Sequence, residues 1–180
     1  MPNPSVNNFI ANFQGGGARP NLYEVILTFP NAVTNPFATL KASYTCKAAT
    51  IPSSIIGAID VPYMGRAIKV AGDKTFDDWT VTIINDTDFA VRDTFERWLD
   101  AINGHERNYA SQGFENPSNY YANAAVRQMG RENQLLKEYF VEGIFPTNVG
   151  EIQLGFDQNN MVEEFQVTFA VNYWSSSATT

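Results

Sequence analysis

The stretch EFQVTFAVNY, residues 164–173, decides the fold class. Phe165, Val167, Phe169, Val171 and Tyr173 alternate with Gln166, Thr168, Ala170 and Asn172. Alternation of this length is a β-strand with one face on a core and the other on solvent. Working upstream, Asp157-Gln158-Asn159-Asn160 supplies turn chemistry, and Ile152 to Phe156 reads as a short strand. Residues 146–150, PTNVG, read as a turn after a strand from Leu136 to Phe145, itself paired with Ala124 to Arg131. Earlier strands are expected at Leu22 to Phe29, Leu40 to Ala48, Ala67 to Ala71 and Asp78 to Asn85. In the second of these, Lys41 and Lys47 share the polar face. The breakers in 30–38 and 49–65 mark loops.

One helix interrupts the strands, over 87–102. Val91, Phe95, Trp98, Leu99 and Ile102 fall at i, i+4, i+7, i+8 and i+11, a single apolar stripe that predicts the core face. Asp86 or Thr87 can cap its start and Gly104 ends it. The expected architecture is mainly β, an antiparallel two-sheet sandwich or partly closed barrel with this one flanking helix. No repeat or linker divides residues 1–180, so one domain is expected, with a flexible Gly-rich arm at 1–21, a long polar and aromatic loop at 105–122 and a frayed tail at 175–180.

Composition narrows the function. Of 180 residues, 44% are hydrophobic and 17% charged, with a formal net charge of −7. That acidity opposes gripping nucleic-acid phosphates, which takes clustered Lys and Arg. A single cysteine, Cys46, excludes an internal disulfide, no apolar run is long enough to span a membrane, and the start MPNPSVNNFIANF lacks the pattern of a secretion signal. The one histidine, His105, opens a polar loop beside Glu106 and reads as a plain loop residue rather than the base of a nucleophile triad, and with one Cys and one His no thiolate–imidazole zinc site can be assembled. Gly15 to Gly17 lack the lysine of a phosphate loop, and Asp157 to Asn160 lack the glycine and terminal glutamate of a calcium loop. Asp73, Asp77 and Asp78 could pair for acid–base or metal work but read better as loop and strand-edge acids. Tyr109, Phe114, Tyr120 and Tyr121 permit a carbohydrate groove. No catalytic residue, metal ligand or cofactor site is assigned, and the chain is not read as an enzyme.

Three blocks carry a resemblance: ARPNLYEV at 18–25, the long run at 61–98, and the run at 125–174, with CKAATIP at 46–52 between the first two. AGDKTFDDWTVTIIND (71–86) and FPTNVGEIQLGFDQNN (145–160) are the most specific segments. In this order they resemble the tail tube proteins of T4-like contractile-tailed phages. The resemblance implies a two-sheet fold in which six subunits close into a ring, the inner sheets joining into one barrel. Rings stack into a tube that grows from the baseplate around a tape-measure protein, inside the tail sheath, is closed by a terminator, and conducts DNA into the host. The expected place is the virion tail, after assembly in the host cytoplasm. The alternatives are the tube of a type VI secretion system or R-type pyocin, and a tube-initiating baseplate protein. A low-friction channel should be acidic or neutral, because each Lys–phosphate contact adds affinity. The polar-face residues Glu138, Glu142, Glu164, Gln166, Thr168 and Asn172 are the candidates for its wall.

Overall fold

The computed structural model describes residues 5–13, 15, 17–30, 33 and 36–179. In chain order the elements are α1 (Val6–Asn12), β1 (Tyr23–Leu27), α2 (Pro36–Thr45), β2 (Cys46–Ala49), β3 (Ser54–Tyr63), β4 (Arg66–Phe76), β5 (Trp79–Ile84), α3 (Ala90–Ile102), α4 (Pro117–Tyr120), β6 (Ala122–Met129), β7 (Leu135–Val149), β8 (Glu164–Ala170) and β9 (Tyr173–Ser176). Seven strands pair antiparallel in the order β1-β6-β7-β8-β5-β2, with β9 also beside β7. β3 and β4 form a separate hairpin.

The long strand β7 belongs to two sheets. Its first half pairs with β6 and β9, its second half with β8. The break falls at Gly143, whose φ is +63°, a left-handed conformation that side chains resist. A Cβ there would overlap the Asn172 amide. On the partner side, β8 and β9 are one strand interrupted at 171–172, opposite Gly143. Alternation therefore does not run unbroken to Tyr173. Phe165, Val167 and Phe169 face inward, but past the break the phase reverses, so Tyr173 is exposed and Ser176 is buried. The core lies between the sheets: Val25, Leu27, Ala124, Val126 and Val141 from the first, Trp79, Val81, Ile83, Phe165, Val167 and Phe169 from the second.

Several sequence expectations change. The strand expected at Leu40 to Ala48 is helix α2 up to Thr45. In so short a run, Ala38 and Ala42 (i, i+4) fit a helix face as well as a strand face, and both are buried while Leu40 and Tyr44 are exposed. Pro36 opens that helix, where its missing N–H costs nothing. Residues 31, 32, 34 and 35 of the loop before it lie outside the described residues. The region 49–65 holds the ten-residue strand β3, and β4 runs well past Ala67 to Ala71. Pro62 is tolerated because a two-stranded hairpin leaves both outer edges free, and Gly57 sits at a register shift. The turn expected at 146–150 is strand as far as Val149, with an irregularity between Pro146 and Asn148. No strand forms at Ile152 to Phe156, which is irregular chain. The arm at 1–21 contains α1, the loop at 105–122 contains α4, and the tail read as frayed from 175 is strand to Ser176.

Helix α3 starts at Ala90, later than 87. Phe89, at φ +53°, precedes it, and the Asp88 carboxylate accepts from Ala90 N–H at 3.2 Å. Phe95 packs on Phe29, Phe165 and Phe169, and Trp98 on Phe29 and Phe169. Such edge-to-face and tilted pairs add to the area they bury.

Candidate assembly surfaces

The outer face of the first sheet is ordered by cross-strand pairs. Glu24, Arg127 and Glu138 stand opposite one another on β1, β6 and β7. Arg127 donates through Nε to Glu138 at 2.5 Å and through Nη1 to Glu24 at 3.4 Å. Its guanidinium is held above its ordinary range, chiefly by the Glu138 bond. Two rows away, Tyr173 donates its hydroxyl to Glu142, which raises the phenol's pKa. Ile26, Ala125 and Phe140 lie between these rows by register.

The outer face of the second sheet is neutral and hydroxyl-rich. Thr80 faces Thr168 and Thr82 faces Gln166. The Thr80 and Thr168 hydroxyls meet at 3.5 Å, and Thr147 donates to the Thr168 carbonyl at 3.1 Å. Lys47 pairs with Glu164 at the margin. Residues 150–163 overhang this face, leaving a cleft of about 810 Å3 lined by Thr82, Asn148 and Gln166 below and Leu154 and Met161 above.

The six proposed wall residues therefore do not share one face. Glu138 and Glu142 lie on the first sheet, Glu164, Gln166 and Thr168 on the second, and Asn172 at the corner beside Gly143. Nor do the two lysines share a strand face: Lys41 sits on α2, bound to Asp86 and Asp88. On α3, Val91, Phe95 and Trp98 are buried, while Leu99 and Ile102 are only partly so. Thr94 and Ala101 complete the buried side. Sequence hydrophobicity passes over Thr94 because its hydroxyl is polar, but that hydroxyl donates to the Ala90 carbonyl at 2.8 Å.

The hairpin is the feature that sequence reading missed. Register places Ile59, Val61, Tyr63, Ile68 and Val70 on one face, with Arg66. Ala58, Asp60, Pro62, Ala67, Lys69 and Ala71 occupy the other. The five large apolar residues are each 44–62% exposed. The root is pinned: Trp79 Nε1 donates to the Thr50 carbonyl at 2.7 Å, Trp174 Nε1 to the Ser53 carbonyl at 3.1 Å, and Ser53 donates to Asp77. Phe76 meets Trp174 edge-to-face. The signal was present as the β-branched runs around Pro62 and Gly65, masked by those breakers.

Reactive chemistry does not converge. His105 is exposed, and Asp73, Asp77 and Asp78 are exposed beside the hairpin root. Burial raises the Cys46 thiol to about 11, against a weaker lowering by a backbone hydrogen bond with Ala48. Among the described residues no three His, Cys, Asp or Glu side chains group as metal ligands. Phe114 belongs to the core, and Tyr120 and Tyr121 pack on Phe145, so with Tyr109 they make no common groove.

Open strand edges, a pinned hairpin with an uncovered apolar face and dispersed titratable groups are the marks of a self-assembling structural subunit. Its fold is shared with a chain of the anti-feeding prophage baseplate solved by cryo-EM with 6-fold symmetry: TM-score 0.63 and 13% identity, covering 89% of this chain and 95% of that one. The sequence is 39% identical over 171 residues to tail tube protein gp19 of Enterobacteria phage T4, covering 94% of this chain and 98% of that protein. It is 28% identical over 174 residues to the tail tube protein of Serratia phage KSP90, covering 96% of each. The model of the phage tail tube protein family matches residues 18–177, and the chain belongs to that family. It is a structural component of a bacteriophage tail.

Proposed function

We propose that this chain is the repeating subunit of the inner tube of a contractile tail, without catalytic activity, and that residues 1–180 act as one tube domain. Six copies close into a ring through their free strand edges, and rings stack from the baseplate along a tape-measure protein, inside a sheath and up to a terminator. Assembly takes place in the host cytoplasm, and DNA passes through the finished tube without specific binding. The observation that carries this reading is the β3–β4 hairpin. A lone two-stranded hairpin is marginal in water, and five uncovered apolar side chains on one face add an aggregation hazard unless another surface covers them. Identical neighbours in a stack supply that surface at every subunit.

The channel wall in this reading is the outer face of the first sheet, with Glu24, Arg127, Glu138 and Glu142. It is the open face, whereas residues 150–163 overhang the second. Glu164, Gln166 and Thr168 then face away from the channel.

Electron microscopy of the purified chain and of purified particles tests the assembly. Wild-type protein should give hollow rings or tubes with six-fold symmetry. Ile59→Asp with Ile68→Asp should keep the circular dichroism of the body and lose tubes. Tubes formed equally well by that variant, or none in wild-type particles, refute the reading.

A further inference from the structure

Val6, Phe9, Ile10 and Phe13 recur at i, i+3, i+4 and i+7, so α1 and its C-cap carry one apolar stripe. All four side chains are 48–74% exposed, and α1 buries none of its residues. The helix is well begun, with the Ser5 hydroxyl accepting from Asn8 N–H at 3.2 Å, and Phe9 stacks on Phe13 at 5.2 Å. Seven residues are nonetheless too few to hold a helix in water without packing. The remaining residues of α1 are Asn7, Asn8, Ala11 and Asn12, so no ion would have to be desolvated on docking.

The same chain has a groove of matching character. Between α2 and the free edge of β1 lies a space of about 740 Å3, lined among others by Ile26, Leu40, Tyr44 and Met129. Leu40 and Tyr44, one turn apart on α2, are 61% and 81% exposed. The one acid in the lining, Glu24, is already paired with Arg127. No described residue of α1 lines this groove. Residues Gly15, Gly17 and Leu22, which lead from α1 to β1, line a separate cleft with the β6–β7 turn.

We propose that α1 docks by its apolar stripe into the α2–β1 groove of the neighbouring copy in the ring, a helix-in-groove contact between subunits that rests on the tube reading. The groove follows the open edge of β1, where ring closure brings the next copy. A stripe and a groove on different parts of one chain make a head-to-tail contact that repeats around a ring until it closes. Each copy then gives one helix and receives one.

The test uses the full chain in a Cys46→Ala background. Phe9→Cys and Tyr44→Cys are made as separate proteins, mixed, assembled and oxidised. A cross-linked dimer joining positions 9 and 44 is the expected result. Tubes without that dimer overturn the docking alone, as does a 9–44 link found only within single chains of the double variant. Absence of tubes in the wild-type control overturns the tube reading and the docking with it. Independently, Phe9→Ala with Ile10→Ala alters only exposed side chains and should leave the folded body unchanged. It should raise the concentration needed for assembly by at least about tenfold, the loss expected when two anchors leave an interface. An unchanged assembly threshold overturns the proposal.

Discussion

Replacing Trp98 by alanine tests the joint between helix, sheets and the long loop. Trp98 is fully buried. Its ring lies 5.8 Å from Phe29 and 6.2 Å from Phe169, and its indole N–H donates to the Tyr120 carbonyl at 3.0 Å. Truncation of a buried Trp costs about 3–5 kcal/mol through lost transfer energy and the cavity left behind. Loss of the aromatic pairs and an orphaned Tyr120 carbonyl place this site in the upper half, about 4–5 kcal/mol. For a chain of this length that lowers the melting temperature by roughly 10–15 °C. Trp98→Phe separates the terms: it keeps most of the ring packing and loses the hydrogen bond, so about 1–2 kcal/mol is expected. Urea unfolding followed by circular dichroism, at subunit concentrations below assembly, gives both values free of mass-action effects. Trp98→Ala within about 1 kcal/mol of wild type would show that the site collapses without cost, contrary to the aromatic cluster described.

Gly143→Ala should cost about 1–3 kcal/mol, from its positive φ and from overlap with Asn172, and adding Asn172→Gly should recover part of that in the same unfolding assay; a neutral Gly143→Ala removes the corner argument. Alkylation of Cys46 should be slow at pH 8 and rise about tenfold per pH unit until near 11, because burial raises the thiol that far; a plateau near 8.5 contradicts the burial. Lys41 holds the Asp86 and Asp88 carboxyls below their ordinary range, so the stability they contribute is present at neutral pH and is lost as pH falls through the lowered values, below about 4. Lys41→Met should therefore be less stable than wild type at pH 7 and equal to it in acid, and a gap that persists at pH 2 points to another cause. Glu142→Lys should leave tubes intact and reduce genome delivery in a salt-dependent way; unchanged delivery places Glu142 outside the channel.

Strands with hydrophobic alternation against a single core were legible in the sequence, as β1, β5, β6 and β8 show, and so were three of the five stripe residues on α3, Val91, Phe95 and Trp98. The failures have physical causes. α2 is ten residues long, and its small buried residues, Ala38 and Ala42, carry almost no hydrophobic signal, so period two and period 3.6 fitted equally. β3 and β4 are exposed on both faces, and no monomer core imposes a pattern on them. The phase reversal at 171–172 depends on Gly143, nearly thirty residues away, and only the paired strand makes it visible. The wall candidates are all polar, yet polarity says which residues leave the core and not toward which side of the molecule. That assignment needs the two-sheet arrangement.

The proposed channel wall, the outer face of the first sheet, keeps an arginine in an acidic protein. Glu24, Glu138 and Glu142 against Arg127 leave a net −2 on this face. In a ring, each charge becomes a circle of like charges at one level, so a lone arginine would form a collar that binds passing phosphates. Here the two carboxylates bracketing Arg127 occupy two of its five N–H donors within the same sheet, at 2.5 and 3.4 Å, and offset its charge. A phosphate that took their place would have to break both of these charge-assisted hydrogen bonds. The guanidinium thus couples β1, β6 and β7, and the charge left over on this face is acidic. Long-range repulsion by that excess is screened within about 8 Å at physiological salt, so it acts on DNA only near the wall, where contact friction would arise.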